Sequence, residues 1–241
     1  MKILSIGNSF SQDAHKWLHS LAAANGVDIE TANLYIGGCS LETHWTNVTE
    51  NNDYYDLEFN GNSAERKISI TNALKMENWN IITLQQVSHL SGIPESFEPY
   101  LSNLANHIKE IQPNARLYFH QTWAYETDSE HECFSNYNKD QHRMYDCVIS
   151  ATEKAAKSIN AKIIPVGVVI QNLRENTTEF NYKNGGLSLC RDGFHLSLDY
   201  GRYAAAATWF STLTGKPIKS DNFENFDKKL INIINSTVNT L

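Results

Sequence analysis

Uninterrupted apolar runs alternate along this chain with stretches in which apolar residues return every third or fourth position. Ile3 to Gly7 reads as a short buried strand. Asp13 to Ala24 then carries Ala14, Trp17, Leu18 and Leu21 on one helical face, and Asn25-Gly26 stops it. Val27 to Ile36 reads as a second strand, ended by Gly37-Gly38, and Leu41 to Asn51 as a short helix. Tyr54 to Ile70 has the pattern of a hairpin turning at Asn60-Gly61-Asn62-Ser63, before a helical turn or two at Thr71 to Glu77. Asn80 to Gln85, Ala115 to His120 and Lys162 to Val166 are three further strands. Between them lie a stripe on Phe97, Tyr100, Leu101, Leu104, Ile108 and Ile111, and a long helix over Asn136 to Ser158. A short helix over Val168 to Arg174, a helix over Tyr200 to Leu213 and an amphipathic helix on Phe226, Leu230, Ile231, Ile234 and Val238 complete the chain. Gln121 to Ser135 and Asn176 to Leu189 read as long loops, and such loops are often functional. Strands alternating with helices predict an α/β fold of about five parallel strands with helices on both faces. No repeat or linker divides 1–241, which is read as one domain.

Composition narrows the partners. The 241 residues are 41% hydrophobic and 20% charged, ordinary for a globular protein that buries its own core. A formal net charge of −7, with no run of Lys or Arg, argues against nucleic acid. No stretch approaches the roughly 20 apolar residues of a membrane span. Met1-Lys2 runs straight into the first strand without an apolar leader. A cytoplasmic location is expected, or a periplasmic or secreted one if a leader has been removed. Cys39, Cys133, Cys147 and Cys190 form no CxxC pair and read as free thiols.

The chemistry gathers at two places. Ser9 follows the first strand at a tight Gly7-Asn8 turn, at the carboxyl edge of the sheet where open α/β folds build their sites. Serine attacks only when a base reaches it. Near the other end stands Arg191-Asp192-Gly193-Phe194-His195. Asp192 and His195, three apart, project to the same side if that stretch turns. A carboxylate beside an imidazole fixes its tautomer, and the imidazole can then take a serine proton. The order serine, acid, histidine is that of α/β-hydrolases, but the Gly-x-Ser-x-Gly elbow is absent and the acid stands too close to the histidine.

Gly7-Asn8-Ser9-Phe10-Ser11 resembles the first block of the GDSL/SGNH hydrolase superfamily, with Asn8 where many members carry Asp. Asp192-x-x-His195 resembles its last block, and Gly37-Gly38 stands where the family has its oxyanion glycine. The third block, usually Gly-x-Asn-Asp, is replaced by Leu84-Gln85-Gln86-Val87-Ser88, as in a largely uncharacterised bacterial branch. The resemblance implies a flavodoxin-like three-layer α/β/α sandwich of strand order 2-1-3-4-5. It implies a serine esterase that needs no metal or cofactor and forms an acyl-enzyme. Ser9 would be the nucleophile, His195 the base and Asp192 its orienter. The backbone N–H groups of Ser9 and Gly38 would hold the oxyanion, with Gln85 as a side-chain donor and Asn8, Gln86 and Trp123 as further substrate contacts. A small acyl group, acetyl foremost, on a carbohydrate is the implied substrate. A lipid or generic carboxylester, or a non-catalytic sugar-binding module, are the alternatives.

Each residue also has a plainer reading. Ser9 can cap a helix, Gly38 can simply end a strand, Gln85 can be a hydrogen-bonded strand end, and Trp123 can plug the core. His15 and His19 share a helix face but have no third ligand nearby, which fits a solvated face.

Overall fold

The computed structural model describes residues 1–241. Its centre is a seven-stranded sheet. The strands are β1 (Lys2–Gly7), β2 (Glu30–Tyr35), β3 (Tyr55–Phe59), β4 (Asn62–Ile68), β5 (Ile81–Leu84), β6 (Arg116–His120) and β7 (Lys162–Ile164). Their order is β4-β3-β2-β1-β5-β6-β7. The five strands from β2 to β7 are parallel, in the expected order 2-1-3-4-5. The expected hairpin, β3 and β4, does not stand apart: β3 adds antiparallel to β2 and extends the sheet to seven strands. Glu58 of β3 is the reason it is tied inward, for its carboxylate accepts from Asn33 of β2 at 2.8 Å.

Eight α-helices cover the two faces: α1 (Ser9–Ala24), α2 (Leu41–Glu50), α3 (Ile70–Met76), α4 (Tyr100–Ile111), α5 (Gln141–Ser158), α6 (Val166–Asn176), α7 (Tyr200–Thr214) and α8 (Lys228–Val238). Side chains alternate across β1, as pleating requires. Ile3 enters the core under α1, α6, α7 and α8, and Leu4 and Ile6 enter the core under α2, α3 and α4. The fully buried Ala204–Ala207 run lets α7 lie close against α1. No helix is long and apolar enough to cross a membrane.

Two boundaries differ from the sequence reading in ways that matter below. Helix α1 starts at Ser9 rather than Asp13, because Asn8 caps it: its Oδ1 accepts from the Phe10 N–H at 3.0 Å. The expected helix over 136–158 is broken at Asn138 and Lys139, both at positive φ, and α5 begins anew on an Asp140 cap. The stretch from Gln121 to Glu126 has no regular secondary structure yet is buried throughout. Glu126 there pairs with Arg174 at 2.9 Å, which neutralises a carboxylate held almost entirely away from water.

Candidate active site

Strand β1 ends at Gly7 and hands the chain to α1, so Ser9 becomes the first helical residue at the carboxyl edge of the sheet. A side chain at Gly7 would collide with Ser11, whose hydroxyl has the Asn8 carbonyl at 2.9 Å and Asn33 Oδ1 at 2.7 Å as acceptors for its one proton. Asn8, not Ser9, is the cap. The Ser9 hydroxyl is thereby free of a capping duty and meets His195 Nε2 at 2.9 Å.

The segment carrying His195 closes on itself. Gly193 adopts φ +84°, which turns the chain back over Asp192. Asp192 Oδ1 then accepts from the backbone N–H of Phe194 at 3.2 Å and of His195 at 2.7 Å. Its Oδ2 meets His195 Nδ1 at 2.7 Å. Partial burial pushes the Asp192 carboxyl up, but the His195 ring and the two backbone N–H groups outweigh it and hold it below its ordinary value. Serine, histidine and aspartate thus lie in one hydrogen-bonded line, across 186 residues of sequence.

Asp13, which the sequence reading passed over, anchors this line. It sits one turn after Ser9 on α1 and is fully buried. Its carboxylate accepts from Arg191 Nη1 at 3.1 Å, Arg202 Nε at 2.8 Å and the Leu196 N–H at 3.0 Å. Arg191 and Leu196 bracket Asp192 and His195, so one carboxylate pins the histidine segment to the helix that carries Ser9. The signal was present in an arginine beside the last block and an acid one turn past the serine.

The Gly37-Gly38 turn faces the serine across a cavity of about 420 Å³ whose walls include Ser9, Gly38 and His195. Gly38 has φ +64° and is exposed. The N–H groups of Ser9 and Gly38 have no acceptor within the protein. The Cys39 carbonyl accepts from Asn8 Nδ2 at 3.0 Å, which ties the turn to the start of α1.

Three expected contacts are corrected. Gln85 does not face the cavity as an oxyanion donor: it is buried, its Nε2 donates to Asn8 Oδ1 at 2.6 Å and its Oε1 is taken by His120 Nδ1 at 2.9 Å. Gln86 is not a substrate contact, because its Oε1 accepts from the N–H groups of Leu41 and Val87 and its Nε2 donates to Ser96. Trp123 is a core plug rather than a platform. It is fully buried, stacks on Phe10 at 4.2 Å, and donates to the Phe194 carbonyl at 2.7 Å. It supports the two aromatic residues beside Ser9 and His195. Asn8 touches the cavity but is 1% exposed, its amide spent on Phe10, Cys39 and Gln85. His15 does not lie on a solvated face: it is buried against Ser5, and burial drives its imidazole down to about 3.

The free polar groups of the cavity come from elsewhere. His89 and His131 stack at 6.0 Å with an interplanar angle of 27°. His131 Nδ1 accepts from the Cys133 N–H, which leaves Nε2 as a donor, and the His89 ring has no hydrogen bond within the protein. Burial lowers both imidazoles below their ordinary value, aided by their nearness to each other at His89 and to His195 at His131. Both shifts favour the neutral ring. Lone histidines in loops gave no sequence signal, since nothing local announces that they meet. A larger hollow of about 460 Å³ lies at the end of α7 and α8 and contains no acidic, histidine or cysteine side chain.

No curated protein matches the sequence. The crystal structure of a DUF4886 family protein from Bacteroides uniformis is similar at 38% identity and a TM-score of 0.91, over 100% of this chain and 93% of that one. A candidate SGNH hydrolase from Slackia heliotrinireducens is similar at 20% identity and a TM-score of 0.60, over 88% and 98%. A mutant of an acetyl-xylooligosaccharide esterase from Geobacillus Stearmophilus is similar at 12% identity and a TM-score of 0.55, over 91% and 96%. These last two share the fold. The family model for the domain of unknown function DUF4886 matches residues 2–238, and the chain belongs to that family, built on the fold of SGNH hydrolases.

Proposed function

We propose that this protein is a serine esterase that removes a short acyl group, acetyl foremost, from a hydroxylated, carbohydrate-like alcohol. The observation that carries it is the hydrogen-bonded line from Ser9 Oγ through His195 to Asp192. His195 Nε2 takes the Ser9 proton as Oγ attacks the ester carbonyl. The N–H groups of Ser9 and Gly38 receive the oxyanion, and each such donor is worth about 3 kcal/mol in the transition state. His195 then protonates the departing alcohol, leaving an acyl-serine. A water, deprotonated by the same imidazole, releases the acid and restores the hydroxyl.

The substrate class rests on the walls. Besides the apolar Phe10, Val87 and Phe194, the cavity presents Tyr35, His89 and His131. A neutral His89 ring offers one donor and one acceptor and His131 a donor at Nε2, which together match a hydroxyl better than an alkyl chain. This weighs against a long acyl lipid. The acetyl-xylooligosaccharide esterase that shares the fold agrees with the reading but does not carry it.

Wild type is expected to turn over p-nitrophenyl acetate, and Ser9→Ala to lose roughly a thousandfold or more in kcat. Equal rates in the two proteins would sink the esterase reading. Acetylated sugars compared with p-nitrophenyl octanoate test the substrate class, with higher kcat/KM expected on the sugars.

A further inference from the structure

Behind the cavity wall, three buried polar side chains form a line whose direction is dictated by the backbone at both ends. The Phe10 N–H can only donate and the Cys39 carbonyl can only accept. The Asn8 amide between them must therefore put Oδ1 toward Phe10, at 3.0 Å, and Nδ2 toward Cys39, at 3.0 Å. Gln85 meets that same Oδ1 at 2.6 Å, so it must present its NH2 group there. Its carbonyl then faces His120 Nδ1 at 2.9 Å, and that nitrogen must carry the proton. Asn8, Gln85 and His120 are each at most 1% exposed, so water does not compete for these bonds. Burial, and then the neighbouring His15, hold His120 down to about 3, so its protonation state is constant at working pH.

We propose that Gln85 and His120 are positioning residues that aim the Gly38 N–H at the oxyanion through the amide of Asn8. Gly38 itself is held loosely, although the next residue, Cys39, is buried and its Sγ lies 3.4 Å from His44 Nδ1. A Cβ on Gly38 would meet nothing within 4 Å, and the Cys39 N–H makes only a 3.3 Å bond to Ile36 within the same turn. Asn8 Nδ2 is the tether that reaches it from the start of α1, and the donor that Gln85 sets against Asn8 Oδ1, beside the Phe10 N–H, holds the tether in that orientation. Gly7 makes room for this: a Cβ there would lie 3.3 Å from Gln85 Cδ. The inference rests on the esterase reading of the same site. It gives the glutamine of the third block a task that does not require it to touch substrate.

Gln85→Glu tests it with almost no change of shape. Ionised, the new carboxyl sets oxygen against Asn8 Oδ1; protonated, it can still donate there, so rates are read from pH 6 to pH 9 to sample both forms. The Asn8 amide must withdraw or invert, and inverted it would set oxygen against the Cys39 carbonyl. The expected result on p-nitrophenyl acetate is a kcat lower by roughly 10- to 100-fold with KM within about threefold of wild type. Inhibition by phenylboronic acid, which forms a tetrahedral anionic adduct on a serine, should weaken by a similar factor. His120→Leu should act in the same direction. His120→Asn, which keeps a donor toward Gln85, should recover most of the rate. A folded Gln85→Glu protein with wild-type kcat across that pH range overturns the proposal, and so does equal impairment of His120→Asn and His120→Leu. If Gln85→Glu does not fold, the His120 pair decides. A Ser9→Ala protein as active as wild type overturns the esterase reading and the relay together. A dead Ser9→Ala beside an unimpaired Gln85→Glu overturns the relay alone.

Discussion

Asp192 divides its two oxygens between two tasks. Oδ1 is taken by two backbone N–H groups and Oδ2 by the His195 ring. In Asp192→Asn, the two backbone donors claim the remaining oxygen. The new NH2 then faces His195 Nδ1, which must accept rather than donate. The imidazole proton is displaced to Nε2, the nitrogen that has to receive the serine proton. A fall in kcat of about 10⁴-fold is expected, with little change in unfolding midpoint. Activity within tenfold of wild type would remove Asp192 from the proposed mechanism. Ser9 was readable because it follows the end of a strand, and Asp192 and His195 because they stand three apart around a turn glycine in a recognisable block. Gln85 was not readable. Strand alternation separates Gln85 from Gln86, but whether the first amide looks into the cavity or behind it depends on Asn8 and His120, which lie far off in sequence. Asn8 was equally opaque, since its donor is needed only because a carbonyl from the next strand's turn comes within reach.

At the scale of elements, α1 is held from both sides. On one side the hairpin reaches it, because Glu58 of β3 accepts from Gln12 at 2.5 Å and from Asn33 at 2.8 Å. On the other, Asp13 holds the histidine segment. Asp13→Asn leaves Arg191 and Arg202 without their counter-charge. The expected cost is about 3 kcal/mol of stability, together with a kcat loss of roughly tenfold or more as His195 drifts from Ser9. Urea unfolding and p-nitrophenyl acetate kinetics on the same sample check both. Unchanged stability and turnover would show that the bracket does not hold the triad. The strand pattern revealed the parallel core because β1, β5 and β6 carry apolar residues on both faces. The docking of the hairpin escaped it, since a glutamate on a hairpin strand reads as a solvent-facing charge until its partners are known.

Across the whole molecule, histidine burial sets the response to acid. His15, His44 and His120 are buried, and burial lowers each to about 3. In the unfolded chain each titrates near 6.5, as free histidines do. Folded-state values below unfolded ones mean that the unfolded chain binds the extra protons. This stabilisation is complete above about pH 6.5 and is lost as pH falls toward 3. Each histidine contributes a slope of roughly 1.4 kcal/mol per pH unit in that window, so the three together approach about 4. Urea midpoints measured from pH 7 to pH 4 should fall steeply, and His44→Phe should remove about a third of the slope. A flat profile would mean that these imidazoles are protonated in place.

The bond from Arg191 to Asp13 spans 178 residues, and that from Arg202 spans 189. A polypeptide is made from its amino end, so Ser9 leaves the ribosome long before its base exists. Until the stretch beyond Arg191 follows, α1 carries a serine without its histidine partner and a carboxylate without its two arginines. Long loops close slowly, and this closure comes last. Under the proposed esterase reading, turnover therefore reports docking: activity requires that the segment from Arg191 to Arg202 has closed onto the first helix.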